Sequence, residues 1–435
     1  MSGLHGRMPY TTAFERAMGT GMIIQSATAL DDGFRSKLDA FIDGYESVLS
    51  RFRADSLVTA MGESSHGGSF DFPDWASGLF DLADAFCTAT DGALDPCVGE
   101  DLIRLGYDAR YSMTMEPDAE HHLGAVHGRP TWRNDVERHG TTLVTQRAVH
   151  LDFGAFGKGY CADLIGAILD GHAGDETVRQ SATGPGSHAP YIIDAGGDLL
   201  IRTGEPAQPA PLAEGSGHDT GDTVTIALED PANPGTEAIG IASIVDGAFC
   251  ASAPSRRHWG EEAGRQLHHL LNAVDGRPVR DVAASWVYVP SAAGRPYPTA
   301  LADGLATACF VTAPDELARA FDFECAAVHA DRTAIMSRHF PRQLLHRINN
   351  AGGSTCVMPP PGFLVPIRHA RTSVAPTRQS PRRAVQQAPY GCPERYTGCP
   401  FRPDTHGVYP RTPDETARAV RPTGSCRTFS STYSP

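Results

Sequence analysis

Between residues 191 and 330, short apolar runs alternate with clusters of glycine, proline and aspartate, and this pattern constrains the fold most. Apolar runs of roughly four to eight residues with such boundaries are typical of β-strands. Because helical patterns also occur, the mixture predicts an α+β fold with mainly antiparallel sheets rather than a doubly wound sheet. The predicted strands are YIIDA (191–195), DLLIR (198–202), TVTIAL (223–228), AIGIASIV (238–245), AASWVYV (283–289) and ECAAVHA (324–330).

Apolar residues at helical spacing predict several packed helices. These cover residues 32–52, 74–88, a segment after Lys158, 301–311 and Pro314–Phe321. Two polar, glycine-rich inserts, 171–190 and 203–219, are predicted to be loops.

The pattern changes near residue 350. Residues 356–435 contain 14 of the 33 prolines, 11 arginines and only 4 acidic residues, with little periodicity. Such composition is typical of segments that do not form a packed core. The sequence therefore predicts a folded domain over 1–350 and a disordered Pro/Arg-rich tail over 351–435.

Composition argues against two classes of partner. The net charge of −14 does not favour binding to nucleic acid, and no apolar run approaches the roughly 18 residues of an integral membrane segment. The first residues show neither a signal peptide nor a lipobox, so we expect a cytoplasmic protein. The ten cysteines form no CxxC pair, which favours reduced, buried thiols.

The segment LDFGAFGKGYCADLIGAIL (151–169) holds one of only two lysines, Lys158, in a glycine-rich turn before a helix. It is not a P-loop, because the glycine spacing is wrong and no hydroxyl follows the lysine. Gly157, Gly159 and Ala162 match the GxGxxA of dinucleotide-binding turns, but no acidic residue ends a second strand about 20 positions later. The plain alternative is a strand-to-helix turn with a solvated lysine.

Three further candidates have plain structural alternatives. Asp303 and Thr307 are four residues apart on a predicted helix, so both oxygens can reach one hard cation such as Mg²⁺, although Thr307 could simply bond within its helix. Asp95 precedes Pro96 and a helix, where aspartate is a common cap. His269 lies near a Gly-Arg-Pro turn, and a lone histidine is more often structural than catalytic.

The order of these segments carries more information than any one of them. The chain contains, in this order, MGT (18–20), SRFRADS (50–56), DGALDPCVG (91–99), LDFGAFGKGYCAD (151–163), IDAGGD (193–198), HLLNAVDG (269–276) and ADGLATA (302–308). From about Met18 to residue 340 it resembles the ApbE family of FAD:protein FMN transferases.

The resemblance implies an α+β domain with an FAD cleft between two halves and Mg²⁺ on the pyrophosphate. It implies His269 as general base, and a metal site made by the carbonyl of Ala155 and the side chains of Asp303 and Thr307. The cofactor contacts that it implies are Met18, Phe52, Ala93, Leu94, Asp95, Asp152, Lys158 and Leu270.

The implied reaction is Mg²⁺-dependent transfer of the FMN moiety of FAD to a threonine or serine hydroxyl of a target flavoprotein, with release of AMP. Departures from the family pattern keep alternatives open. Asn272, Ala273 and Asp275 change the histidine segment HIIDP-x-TG, and ASA (251–253) replaces TSG. An FAD pyrophosphatase that yields FMN and AMP, or a non-catalytic FAD-binding protein, would use the same site. A nicotinamide dehydrogenase based on the GxGxxA turn is the weakest alternative.

Overall fold

The computed structural model describes residues 4–172, 189–203, 223–292, 295–343 and 364–368. Its helices are α1 (Leu4–Arg7), α2 (Asp32–Leu49), α3 (Leu57–Glu63), α4 (Ser77–Ala89), α5 (Gly99–Arg104), α6 (Trp132–Asp135), α7 (Gly157–His172), α8 (Pro298–Ala308) and α9 (Pro314–Leu317). Its first strands are β1 (Tyr10–Phe14), β2 (Met22–Ser26), β3 (Gly68–Asp71), β4 (Glu137–His139), β5 (Thr142–Thr145), β6 (Tyr191–Asp194), β7 (Leu199–Arg202), β8 (Val224–Glu229) and β9 (Ala238–Ile244). The later strands are β10 (Gly247–Ser252), β11 (His258–Trp259), β12 (Leu267–His268), β13 (Leu271–Asn272), β14 (Arg277–Pro278), β15 (Val282–Pro290), β16 (Glu324–His329), β17 (Thr333–Ser337), β18 (Arg342–Gln343) and β19 (Leu364–Arg368).

Nine strands of the described residues form the main sheet, in the order β1-β2-β6-β7-β10-β15-β16-β17-β19. Every pairing within it is antiparallel. Smaller sheets are β18-β9-β8 and β3-β5-β4, and two hairpins, β11–β12 and β13–β14, complete the strand pairings. The predicted α+β class with mainly antiparallel sheets is confirmed.

The two faces of the main sheet are covered by different elements. Because successive side chains on a strand point to opposite faces, Ile193 and Leu200 join the core that contains α7 and α8. Their neighbours Ile192 and Ile201 join a second core, with residues of β8 and β9. The helices that carry the predicted site residues are therefore held against one face of the sheet.

Most strongly patterned elements match their predictions. The six predicted strands appear as β6, β7, β8, β9, β15 and β16. The main omission is β10, a central strand with the sequence GAFCAS, whose small residues lack the β-branched pattern of its neighbours. The helix predicted for Pro314–Phe321 ends at Leu317.

Helices α7 and α8 approach closely at Gly159. A Cβ atom there would lie 2.4 Å from the backbone oxygen of Thr299, so only glycine permits this spacing. Asp163 of α7 accepts hydrogen bonds from the amides of Thr299 (3.1 Å) and Ala300 (2.8 Å) in the first turn of α8. These contacts fix α8, and hence Asp303 and Thr307, relative to the glycine-rich turn before α7.

Several predictions fall wholly or mainly outside the described residues. Both predicted inserts do so, as does the predicted tail apart from Leu364–Arg368, which pairs with β17 at the end of the main sheet. In the described part of the chain, no helix combines the length and hydropathy needed to cross a membrane. The six cysteines described there as free are buried, as expected.

Candidate active site

Three charged side chains meet where α7 begins. The Nζ of Lys158 lies 2.6 Å from Oδ2 of Asp198 and 3.4 Å from Oδ2 of Asp303. The lysine side chain is 25% exposed, whereas the two aspartates are 4% and 5% exposed. Two nearly buried carboxylates therefore share one cation, and we call these three residues the charge cluster.

The charge cluster is electrostatically unbalanced. Burial raises the pKa of Asp303, and the charge of Asp198 raises it further, while Lys158 opposes both effects only in part. Burial alone would lower the pKa of Lys158, but the charges of Asp198 and Asp303 outweigh it and raise the pKa. A further cation at this point would relieve the repulsion between the two carboxylates.

A contact from α8 holds the first turn of α7. Gly159 is the third residue of α7, so its amide has no acceptor within the helix, and it donates to Oδ2 of Asp303 at 3.1 Å. Ala155 lies two residues before the helix, and no backbone hydrogen bond among the described residues reaches its carbonyl oxygen. The glycine-rich turn and α8 thus bring a backbone oxygen and a carboxylate to one place.

Thr307 lies one turn after Asp303 on α8, on the same side of the helix. Its side chain is nearly buried, and its Oγ1 lies 3.4 Å from Oγ of Ser252 at the end of β10. The described residues contain no group of three or more His, Cys, Asp or Glu side chains with metal-site geometry. A cation here would therefore need backbone and hydroxyl oxygens beside the carboxylate.

Asp152 forms a second charged contact before α7. The Nε of Arg51 lies 2.5 Å from Oδ2 of Asp152, and the amide of Gly154 donates to Oδ1 at 2.6 Å. Burial raises the pKa of Asp152, but the charge and hydrogen bond of Arg51, together with the bond from the Gly154 amide, outweigh it and lower the pKa. The guanidinium also donates to the carbonyl of Tyr107 (2.7 Å) and lies 4.2 Å from the centre of the Phe52 ring.

Aromatic rings extend from Phe52 across this side of the site. Phe52 stacks on Tyr111 with ring centres 5.1 Å apart and an angle of 7° between the rings. Tyr107 packs against the edge of Phe52 and stacks on Trp259, at 5.4 Å and 5.7 Å between centres. Of these rings Tyr111 is the exposed one, so a flat aromatic ligand could stack on it.

His269 immediately follows β12 and reaches the same region. Its Nδ1 lies 3.4 Å from the carbonyl oxygen of Arg257. Burial, followed by the charge of Arg257, lowers the pKa of His269 to about 4. The charge of Lys158 also lowers the pKa of His269, and His269 in turn favours ionised Asp152. These mutual effects indicate that His269 lies near both charged groups.

The family model of the ApbE family matches residues 18–330, more than two-thirds of the chain. The chain belongs to the ApbE family. It is 26% identical over 279 residues to the FAD:protein FMN transferase of Treponema pallidum, covering 61% of this chain and 67% of that protein. It is 22% identical over 329 residues to the enzyme of the same name from Haemophilus influenzae, covering 72% and 81%. The ApbE protein of Thermotoga maritima has the same fold, with a TM-score of 0.56, 22% identity, and coverage of 77% of this chain and 99% of that one.

Two ApbE motifs that are far apart in the sequence, MGT (18–20) and IDAGGD (193–198), are packed together. Met18 has a left-handed backbone (φ 51°), and its amide donates to Oε1 of Glu46 at 2.5 Å. Two residues on, Thr20 packs against Gly196, where a Cβ atom would lie 2.4 Å from the threonine hydroxyl. The MGT segment therefore lies against IDAGGD, the motif that ends in Asp198 of the charge cluster.

Other residues predicted to contact the cofactor form hydrogen bonds or packing contacts within the protein. Asp95 caps a short 3₁₀ helix by accepting from the amide of Cys97 at 2.8 Å, as its plain alternative proposed, and it also accepts from the amide of Trp132 at 3.0 Å. Ala93 and Leu94 are buried, and the Ala93 carbonyl accepts a bond from the HLLNAVDG segment. Leu270 is buried in a small apolar cluster away from the main core. Their roles toward a cofactor remain predictions.

The departures from the ApbE pattern have local structural explanations. Asn272 and Asp275 lie at the β13–β14 turn, and each side chain accepts a hydrogen bond from an amide two residues further on. The amide of Ala273 donates to Ala93 at 2.9 Å. In ADGLATA, a Cβ atom on Gly304 would lie 2.2 Å from the Phe86 ring, so Phe86 occupies the space that a side chain at position 304 would need.

Two residues of this site were not singled out from the sequence. Asp198 is the last residue of IDAGGD, and a signal existed, because an acidic residue that ends a glycine turn is a candidate ligand. Arg51 lies inside SRFRADS, but its contact with Asp152 joins residues 101 positions apart. No local sequence pattern predicts such a pair.

Proposed function

We propose that the protein transfers the FMN moiety of FAD to a threonine or serine hydroxyl of a target flavoprotein and releases AMP. Membership of the ApbE family and two relatives named FAD:protein FMN transferase support this. The observation that carries most weight is the charge cluster, because three separate family motifs supply Lys158, Asp198 and Asp303 to one nearly buried place. FAD would lie with its pyrophosphate near this cluster and its flavin toward Phe52.

The residues present suit a hard cation such as Mg²⁺. The available donors are all oxygens, namely the Asp303 carboxylate, the Thr307 hydroxyl and the carbonyl of Ala155, which precedes α7. The excess negative charge of the cluster also favours a divalent ion. When bound, Mg²⁺ would offset the charge that develops on the pyrophosphate during transfer.

His269 is suited to accept a proton from the attacking hydroxyl. A carbonyl oxygen can only accept, so the Nδ1 that faces the Arg257 carbonyl carries the hydrogen in that contact. Nε2 then has a free lone pair, and the lowered pKa keeps it unprotonated at pH 7 while also making it a weaker base than an ordinary histidine. The hydroxyl oxygen bonds to the FMN-side phosphorus, the bond from that phosphorus to the oxygen of AMP breaks, and His269 takes the proton.

Lys158 and Arg51 have distinct tasks in this proposal. Lys158 stays charged and can offset charge on a phosphate beside it. Arg51 holds Asp152 in one position and covers one face of Phe52, so that the flavin-side surface is preorganised.

The test is to incubate the purified chain with FAD, Mg²⁺ and a candidate acceptor domain. We expect flavin fluorescence on the acceptor band of a denaturing gel and one AMP per label. Free FMN and AMP without label would indicate that water attacks instead, as in a pyrophosphatase. Bound FAD with no product would indicate a binding protein, and absence of FAD binding would overturn the proposal altogether.

A further inference from the structure

Arg257 is a charged residue in direct contact with the proposed base. Its carbonyl oxygen lies 3.4 Å from Nδ1 of His269, so the backbone of one residue meets the side chain of the other. The Arg257 side chain is exposed, and the residue lies between the 3₁₀ helix Pro254–Arg256 and β11. After burial, the charge of Arg257 is the largest cause that lowers the pKa of His269. The guanidinium therefore belongs to the electrostatic surroundings of His269.

A buried tyrosine fixes the position of the Arg257 guanidinium. Nη1 of Arg257 donates a hydrogen bond to the hydroxyl oxygen of Tyr107 at 2.5 Å. Tyr107 is 4% exposed, and its ring stacks on Trp259, whose Nε1 donates to the carbonyl of Leu105 at 2.9 Å. The carbonyl of Tyr107 also accepts a hydrogen bond from Arg51. An exposed arginine is thus attached to the packed wall of the candidate active site.

Three basic side chains of the candidate active site differ in how far carboxylates compensate their charge. Lys158 contacts both carboxylates of the charge cluster, and Arg51 pairs with Asp152 at 2.5 Å. In the part of the chain that the structure describes, no carboxylate pairs with Arg257, and its Nε and Nη2 have no protein acceptor. Of the three, Arg257 therefore has a charge and donor groups that a negatively charged ligand can use.

The proposed reaction brings an anion close to His269. The hydroxyl that gives its proton to His269 bonds to the FMN-side phosphorus, so one oxygen atom separates the base from that phosphate in the transition state. Cations and N–H donors held in place beforehand stabilise the charge on the non-bridging oxygens. A guanidinium suits this task, because its planar N–H groups match the geometry of phosphate oxygens.

We propose that Arg257 is a catalytic residue that binds the FMN-side phosphate of FAD and stabilises the charge on its non-bridging oxygens, and that Tyr107 positions Arg257. This inference rests on the proposed function, because the place of the phosphate follows from the attack assisted by His269. The acceptor oxygen bonds to phosphorus, the bond from that phosphorus to the oxygen of AMP breaks, and His269 takes the proton. Arg257 donates hydrogen bonds and keeps its own protons.

The first test compares the affinities of the full chain for FMN and riboflavin, which differ only in the phosphate. Titration calorimetry measures both, in the presence of Mg²⁺ and without any transfer reaction. We expect the parent to bind FMN more tightly. Arg257→Met should lower the ratio of the two affinities by about 10-fold, because one hydrogen bond to a charged group is lost. The affinity for riboflavin should stay close to that of the parent.

Arg256→Met is the matched control. Arg256 is the neighbouring residue, is also exposed, and pairs with Glu229 of β8 at 2.5 Å. The control changes the net charge by the same amount as Arg257→Met. We expect it to keep the parent's affinities and transfer rate, and circular dichroism would verify that both variants fold.

The second test separates a catalytic role from a binding role through the kinetics of flavin transfer from FAD. Arg257→Met should lower kcat by about 10²-fold, which exceeds its effect on KM, because the charge on the phosphate is greatest in the transition state. Arg257→Lys should recover part of the loss, since lysine binds phosphate as a point charge. Tyr107→Phe should lower kcat by less than about 10-fold and add nothing to Arg257→Met, because the hydroxyl acts through the arginine.

An equal loss of affinity for FMN and riboflavin in Arg257→Met would overturn the proposal, because Arg257 would then support the flavin surface or the fold. The same conclusion follows if Arg256→Met and Arg257→Met behave alike. If the parent transfers no flavin but loses its preference for FMN in Arg257→Met, the proposed function and the catalytic role fail, while the phosphate contact stands. If transfer occurs and Arg257→Met equals the parent in both tests, only the proposal for Arg257 fails.

Discussion

Among the described residues, the Asp101–Arg129 pair and the charge cluster are both largely buried, and they differ in charge balance. Asp101 and Arg129 are both fully buried and pair one to one, with 2.7 Å between Oδ2 and Nε. Further bonds link Asp101 to the amide of Gly124 and Arg129 to the carbonyls of Pro130 and Ala273. The charge cluster instead gives two carboxylates to one lysine.

The comparison separates a structural ion pair from a site that needs a ligand. A balanced pair with its remaining polar atoms bonded can hold chain segments together, and removal of either partner leaves a buried charge. In an unbalanced cluster the repulsion is relieved by a proton, an added cation or a ligand, and burial together with Asp198 raises the pKa of Asp303 accordingly. Substitutions in the Asp101–Arg129 pair and in the charge cluster test this distinction.

Asp303→Asn is expected to give the largest effect on activity. The substitution removes the only carboxylate among the proposed metal ligands, so Mg²⁺-dependent flavin transfer should fall by about 10³-fold or more. The free energy of unfolding should change by less than about 1 kcal/mol, because the variant also removes repulsion from Asp198. Gel fluorescence and urea denaturation test the two parts, and full activity would show that the metal site lies elsewhere.

His269→Ala should slow transfer by about 10²- to 10⁴-fold while FAD affinity stays near that of the parent. The reason is that the variant removes the proposed base and leaves the charge cluster intact. His268→Ala is the neighbouring control, since His268 points to the carbonyl of Val279 (2.8 Å) instead. A collapse of FAD affinity in His269→Ala would make His269 a binding residue.

Asp101→Asn should show the opposite behaviour to Asp303→Asn. It leaves the buried Arg129 charge without its partner, so the free energy of unfolding should fall by about 3–5 kcal/mol. Transfer per folded molecule should stay close to that of the parent, because the pair contacts none of the proposed ligands. A free energy of unfolding equal to that of the parent would show that the Asp101–Arg129 pair does not stabilise the fold.

Lys158→Met tests the charge imbalance of the cluster through its effect on the free energy of unfolding. Without the lysine the two carboxylates face each other, and the metal-free protein should lose about 1–3 kcal/mol. Mg²⁺ should then raise the melting temperature of the variant more than that of the parent. An identical response to Mg²⁺ in both proteins would argue against a cation at this cluster.

The pH dependence of transfer gives the smallest expected effect. A base with its pKa lowered to about 4 is neutral at both pH 5.5 and pH 7.5, so kcat/KM should change little through this group. An ordinary histidine, with a pKa of about 6.5, would be mostly protonated at pH 5.5 and would lower the rate about 10-fold. Because kcat/KM reports the ionisation of the free enzyme, a 10-fold fall would show that the pKa of His269 in the FAD-free protein is close to that of an ordinary histidine.

Much of this structure can be predicted from the sequence where the pattern is local, that is, confined to neighbouring residues. The antiparallel class, the strands from β6 to β9 and the helix with Asp303 and Thr307 follow from periodicity and turn residues. Strand β10 does not, since Gly, Ala and Ser carry no strand pattern and its place is set by pairing with β7 and β15. Tertiary pairing overrides local propensity there.

The candidate site also contains residues that the sequence predicts and partners that it does not. Motif order supplied Lys158, Asp303 and His269, but the partners that define their chemistry lie far away along the chain. Asp198 is 40 residues from Lys158, and Arg51 reaches Asp152 across 101 positions. Spacing in a single sequence cannot reveal such pairs, because any of the 51 acidic residues could be the partner.

The distance along the chain between Lys158 and Asp303, 145 residues, has a consequence for folding. Contacts between such distant residues form only after much loop-closure entropy has been lost, so the charge cluster should be absent from early folding intermediates. FAD and Mg²⁺ would then bind the completed domain and not its partly folded forms. Bound ligand would accordingly protect the native state by mass action, and a newly made chain would gain that protection only after α8 has docked.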